Sequence, residues 1–247
     1  MPADLAPLPA RSVMLSLLLG SHPDRMSAAD LVRAGEHFGI PAATSRVALT
    51  RAVAAGDLRR DPSAGSGQGA YALGERLARR QRRQDEAVLD AETPWDGTWE
   101  LAVVTVSGRP GPERAALRER LASYRLAEAR EGVWTRPANL RRPRAYAGDA
   151  VLSTFLATPD EDPAALAASL WDLPAWAREG TALLERLSST GEPALRLAVA
   201  AHVVRHLAGD PLLPAALLPD DWPAAAMRSA YAAYQDELRA LAFSSLS

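Results

Sequence analysis

At Gly56 the spacing of apolar residues switches from a helical to a strand period, and that switch limits what the N-terminal segment can fold into. Three helical patterns precede it. The first runs from about Arg11 to Gly20 and ends at the glycine and a proline-containing turn. Ser27 is placed to cap a second, with Ala28, Leu31, Val32 and Phe38 as its apolar positions and Gly39 as its stop. Ile40 and Pro41 make a tight turn into a third, over about Ala42 to Ala55, closed by Gly56. A strand at Asp57-Leu58-Arg59-Arg60, a Gly/Ser-rich tip from Pro62 to Gly69 and a strand at Ala70-Tyr71-Ala72-Leu73 then read as a hairpin. Three helices followed directly by a hairpin is the order of a winged helix-turn-helix. The tip also contains a Gly-x-Gly-x-Gly run, but it leads into a strand, not a helix, which excludes a dinucleotide fingerprint.

On a wheel of about 100° per residue, the third helix gathers Ala42, Leu49, Ala52 and Val53 on one side, with the small Ser45 beside them. The other side carries Thr44, Val47, Thr50 and Arg51, flanked by Arg46. Two guanidiniums, two hydroxyls and a small aliphatic group suit a helix in the DNA major groove, where Arg binds guanine bidentately and Thr or Val meets a thymine methyl. The expected DNA-binding set is therefore Thr44, Ser45, Arg46, Val47, Thr50 and Arg51, with Gln68 from the wing tip. Arg79 and Arg80 join it from the following helix, Gly74 to Arg83, whose five Arg either clamp phosphate or coat a solvated connector.

Charge is distributed in the same sense. Residues 1–84 hold 12 Arg against 7 acids and residues 88–247 hold 16 Arg against 21 acids, so a net charge of -2 conceals a basic first part and an acidic second. Every basic side chain other than His is Arg, and Cys is absent, which excludes disulfides and thiolate metal sites. The N-terminal apolar run Val13 to Leu19 lacks a charged leader and a cleavage pattern, and no stretch reaches transmembrane length, so a cytoplasmic protein without a membrane partner is expected.

Further along, Leu101 to Val106 reads as a buried strand, Gly111 to Tyr124 as an amphipathic helix, and Gly132 to Thr135 and Ser153 to Ala157 as further strands. This order fits a small ferredoxin-like α/β sandwich whose second helix, over Asn139 to Gly148, is rudimentary or missing. Arg141, Arg142 and Arg144 in that stretch either receive a phosphorylated ligand or lie in a solvated loop. From Asp162-Pro163 onward the chain is helical. The fold expected is α+β, in three consecutive domains: 1–90 winged helix with a basic connecting helix, 91–158 ferredoxin-like, and 159–247 helical.

Catalytic motifs are missing: there is no HExxH helix, Walker loop or Gly-x-Ser-x-Gly elbow. His202 and His206, four apart, have a metal-compatible spacing, but Val203, Val204 and Leu207 make the same surface a packing face, and no metal or cofactor is expected. Asp160-Glu161-Asp162 precedes Pro163 and reads as a helix cap. Trp171, His202 and Arg205 are the expected effector-binding residues, as polar or aromatic groups on C-terminal helices; Trp176, Trp222, Tyr231 and Tyr234 line an aromatic pocket or fill a core.

Several segments together resemble the PaaX family of bacterial phenylacetate-catabolism repressors. They are Gly39-Ile40 through Ser45-Arg46, Thr50-Arg51 and Gly56; Trp95-Asp96-Gly97-Thr98-Trp99; Gly132-Val133-Trp134; Trp171-Asp172-Leu173; and Asp210-Pro211-Leu212-Leu213-Pro214 with Leu217 to Pro223. The resemblance implies a winged helix, a Cas2-like middle domain and a helical C-terminal effector and dimerisation domain. It further implies a homodimeric, non-enzymatic repressor that binds a partly palindromic operator and is released by an aryl-acyl-CoA such as a phenylacetyl-CoA-like thioester. Two rival readings of the residues remain open: a scaffold repurposed as an enzyme or small-molecule-binding protein, and an adaptor using the winged helix for protein contacts.

Overall fold

The structure is a computed structural model that describes residues 6–61, 69–88 and 92–243. It has two compact units. The first comprises Met1–Leu89, Arg178–Gly209 and Pro223–Ser247, the second Asp90–Ala177 and Asp210–Trp222. The three expected domains divide the chain by sequence order; these units divide it by packing and follow other boundaries.

In the first unit, α1 (Ala10–Leu19), β1 (Arg25–Ser27), α2 (Ala28–His37), α3 (Ala42–Ala54), β2 (Leu58–Asp61), β3 (Ala70–Leu73) and α4 (Glu75–Val88) form a winged helix. Ser27 caps α2 as its chemistry requires, its Oγ accepting from the Asp30 amide at 3.0 Å. Gly39 and Gly56 have φ of 74° and 72°, left-handed conformations that let α2 turn into α3 and α3 into the hairpin. Val13, Met14, Leu17 and Leu18 of α1 are buried with Leu31 of α2, Leu49 and Ala52 of α3, and Leu58 and Leu73 of the hairpin. The sheet has the order β1-β3-β2, all antiparallel. Strand β1 was not expected: three residues, Arg-Met-Ser, carry no strand period, and pairing with β3 alone defines them.

Helix α4 is fastened to α1 through two polar contacts. The Gln81 amide donates to the carbonyls of Leu19 and Ser21, both at 3.0 Å, satisfying acceptors at the α1 C-terminus. The buried Asp57 carboxylate accepts from Arg11 and, at 2.5 Å, from Arg76. Burial works against that carboxylate, but the two guanidiniums prevail and hold it below its ordinary range. Helices α8 (Pro193–Ala208) and α9 (Ala224–Phe243) pack on this body, α8 against α4 and α9 against α2. An Arg196–Glu237 ion pair at 3.1 Å joins them to each other.

The second unit holds β4 (Trp99–Val104), α5 (Gly111–Ser123), β5 (Ala127–Arg130), β6 (Val133–Pro137), β7 (Leu152–Ala157) and α6 (Pro163–Leu170), and α7 (Leu173–Ser189) begins in it. The sheet order β5-β6-β4-β7, antiparallel throughout, is that of a ferredoxin-like sandwich. Its second helix is reduced to a single 3-10 turn, Ala145–Gly148, in agreement with the short segment there. Ala102, Trp134 and Leu152 of the sheet bury against Leu117 and Leu121 of α5. Strand β5 was not expected, since Ala-Glu-Ala-Arg lacks β-branched and aromatic residues, and β4 lies two residues earlier than its apolar run suggested.

The Pro-punctuated segment Asp210 to Pro214 is held by a buried cation. Arg136 is fully buried and donates to Asn139 Oδ1 at 2.8 Å, the Leu212 carbonyl at 3.0 Å and the Pro137 carbonyl at 2.9 Å. Burial, and then the nearby Arg142 charge, pull its pKa down to about 9. Leu213 and Leu217 of the same segment join Trp99, Ala167 and Leu173 in an apolar cluster. Among the described residues no helix is long and apolar enough to cross a membrane.

Candidate nucleic-acid interface

The rotation of α3 is set by what it buries: Ser45, Ala48, Leu49 and Ala52 face inward. Thr44, Arg46, Val47, Thr50 and Arg51 are left exposed. Val47 is 50% exposed, unusual for a large aliphatic side chain in this protein, and it stands between the polar groups of that face. The Thr50 hydroxyl donates to the Arg46 carbonyl at 3.0 Å, which fixes its rotamer. Among the described residues neither Arg46 nor Arg51 pairs with a carboxylate, so both charges are available to an anion.

Ser45 has to be withdrawn from the expected interface. It is fully buried where α3 crosses α2, and a Cβ at Gly35 would lie 2.6 Å from its Oγ. Its place one and two turns before Leu49 and Ala52 puts it on the packing side. Gln68 lies outside the described residues. Arg79 is engaged by Glu75 one turn earlier, at 2.5 Å. Arg80 lines the seam of α4 with α8 and α9, beside Leu197, Tyr231 and Tyr234; burial, and the charges of Arg205 and Arg76, lower its pKa. Two further Arg were overlooked in the sequence. Arg59 and Arg60 are exposed on β2, the first strand of the wing, and the Leu-Arg-Arg-Asp run could have flagged them.

The expected effector residues do not assemble within one compact unit. Trp171 packs against the Trp99–Leu213 cluster of the second unit, whereas His202 and Arg205 belong to α8 of the first. The pKa of His202 is lowered by burial first and by Arg205 next. The aromatic residues likewise separate: Trp176 and Trp222 stack at 4.2 Å in the second unit, while Tyr231 and Tyr234 lie on α9 in the first. Arg142 serves the fold, donating to Glu100 at 3.1 Å and the Tyr124 carbonyl at 2.8 Å while packing over the Tyr124 and Tyr146 rings. Arg142 is therefore not a residue of a solvated loop. No group of three or more His, Asp or Glu poised to hold a metal occurs among the described residues.

Three family models match the chain in order: PaaX-like protein over residues 9–77, the PaaX protein central Cas2-like domain over 92–152, and the PaaX-like protein C-terminal domain over 175–246. Among solved structures, the uncharacterized protein Rv0674 from Mycobacterium tuberculosis is similar, with 43% identity and a TM-score of 0.81. That similarity covers 96% of this chain and 99% of the other. No curated protein matches.

Proposed function

The chain belongs to the PaaX family, and from that membership we propose that it is a transcriptional regulator, a repressor that binds operator DNA as a homodimer and releases it on binding a small-molecule effector. The observation that carries the reading is the outer face of α3, where two unpaired Arg, two Thr and an exposed Val stand together on a helix whose other side is buried. A helix serving only as scaffold has no need to expose Val47 between Arg46 and Arg51. Those groups read base edges in the major groove, while Arg59 and Arg60 of the wing strand contact phosphates. The resemblance adds an aryl-acyl-CoA or related acyl compound as effector.

Footprinting on the DNA upstream of the protein's own gene tests this reading. A dimer should protect two related half-sites with centres about 10 base pairs apart or a multiple of that. No protected region at low salt would leave the alternative, a PaaX-like scaffold that binds small molecules without DNA.

A further inference from the structure

We propose that Val47 and Thr50 of α3 form one methyl-reading patch that selects thymine at adjacent base pairs of the operator, between guanines reached by Arg46 and Arg51. This rests on the reading of α3 as the DNA-reading helix and adds which bases its centre requires. The buried side of α3 consists of Ser45, Ala48, Leu49 and Ala52. At about 100° per residue, Val47 and Thr50 fall within about 30° of the line diametrically opposite, one on each side of it. They are therefore the side chains that enter a groove furthest. Arg46 and Arg51 flank them, each about 70° from the same line.

Neither central side chain has a hydrogen-bond donor to offer a base. Val47 is aliphatic and 50% exposed. Thr50 is exposed, but its hydroxyl donates to the Arg46 carbonyl at 3.0 Å. That bond spends the one proton a hydroxyl has, so Thr50 cannot donate to purine N7, guanine O6 or thymine O4. Its γ-methyl is left as the reading group. The apolar feature of the major groove is the thymine 5-methyl, which G·C pairs lack. Three residues separate Val47 and Thr50 by about 4.5 Å along the helix axis, against about 3.4 Å per base pair, so the two meet methyls on neighbouring pairs.

Charge decides what the patch meets. An exposed aliphatic pair by itself suits a protein partner as well as a groove. Here it stands between Arg46 and Arg51, neither paired with a carboxylate among the described residues, and the next strand adds the exposed Arg59 and Arg60. Guanidiniums around a small apolar centre complement a groove walled by phosphates and floored by base edges. The Arg46 and Arg51 side chains then bind guanine bidentately on either side of the thymines.

A duplex selected by the full chain from a random pool supplies the probe. Fluorescence anisotropy then reads single thymine-to-uracil replacements, each of which deletes one 5-methyl and keeps every hydrogen-bonding group. One or two replacements per half-site should weaken binding about fourfold, the loss of one buried methyl, and the others should have no effect. Val47→Ala should weaken binding of the unmodified duplex and abolish the sensitivity at one of those thymines. Thr50→Val, which keeps the methyl and removes the hydroxyl, should bind like the parent, whereas Thr50→Ser should lose about fourfold. Both positions are exposed, so these variants keep the fold. A selected duplex with no uracil-sensitive thymine overturns the methyl patch, as do additive losses from Val47→Ala and uracil. Weakened binding by Thr50→Val with parent-like binding by Thr50→Ser also overturns it, making the hydroxyl the reading group. So does a changed oligomeric state in Val47→Ala with DNA binding intact, which assigns Val47 to protein contact. All four outcomes leave the regulator reading standing. A pool from which no sequence is enriched overturns that reading and the patch with it.

Discussion

Gly35 of α2 and Ser45 of α3 approach so closely that a methyl group on the glycine would lie 2.6 Å from the serine hydroxyl oxygen. The same methyl would lie 2.8 Å from the Met14 Cε, and Ser45 Oγ is buried without a hydrogen-bond partner. This contact sets the distance between the two helices of the helix-turn-helix.

Gly35→Ala therefore opposes two effects. Replacing a mid-helix glycine gains about 0.5–1 kcal/mol of helix propensity, and overpacking costs about 1–3 kcal/mol. The Met14 methyl can move aside and the serine cannot move far, so a net loss of about 1 kcal/mol is expected by urea denaturation. Ser45→Ala should recover most of it in the double variant, giving a favourable coupling in the cycle. Additive losses would contradict the contact.

Arg136→Met should cost about 3 kcal/mol in the second unit. The methionine fills much of the volume but leaves the Leu212 and Pro137 carbonyls and Asn139 without their donor. Hydrogen exchange should report loss of protection in the Leu212 and Leu213 amides before the sheet opens. A uniform change across the unit would show that Arg136 does not specifically hold that segment.

Acid should weaken the attachment of α1 to α4. Asp57 is held below its ordinary pKa of 3.8 by Arg11 and Arg76 despite burial, so its contribution is present above that value and lost as pH falls below it. Both Arg side chains are at least half exposed, so screening limits the loss to about 1–2 kcal/mol. Asp57→Asn should remove that part of the acid limb, seen as a smaller difference in stability between pH 5 and the acid range.

Alkali should destabilise the fold through its buried phenols, Tyr146 and Tyr234, and the half-buried Tyr231. Burial raises Tyr231 to about 12, and Tyr146 and Tyr234 are also raised by burial, Tyr146 further by its hydrogen bond to Glu100. A phenol raised in the folded state contributes stability that is intact below pH 10 and is lost as pH climbs through the folded value. Arg136, lowered to about 9, acts in the opposite sense, so the clean readout is a difference in which it cancels. The stability of Tyr231→Phe relative to the parent should improve as pH rises from 10 to 12; a constant difference would contradict the assignment.

What could be read from the sequence, and what could not, follows from how local each signal is. The third strand, Ala70–Leu73, and the Ser27 cap were legible because turn glycines and capping oxygens act within a few residues. The outer face of α3 was legible from period alone, except at Ser45, whose small polar side chain suits either side and is decided by Gly35 from another helix. Strand β5 was not legible, because Ala127–Arg130 is a strand only through pairing with β6. The expected effector set draws on residues of both compact units. Trp171, His202 and Arg205 were grouped by residue type, whereas the chain returns α8 and α9 to the N-terminal unit and leaves Trp171 in the other.

The central claim is that the outer face of α3 reads DNA, and the most direct test is fluorescence anisotropy with the upstream duplex and a scrambled duplex, comparing the parent with Arg46→Ala and Arg51→Ala. Loss of a base-reading guanidinium should weaken specific binding by about 1–3 kcal/mol, relax preference at one base pair, and leave binding to the scrambled duplex nearly unchanged. Parent-like affinity and parent-like sequence preference in both variants would contradict the account.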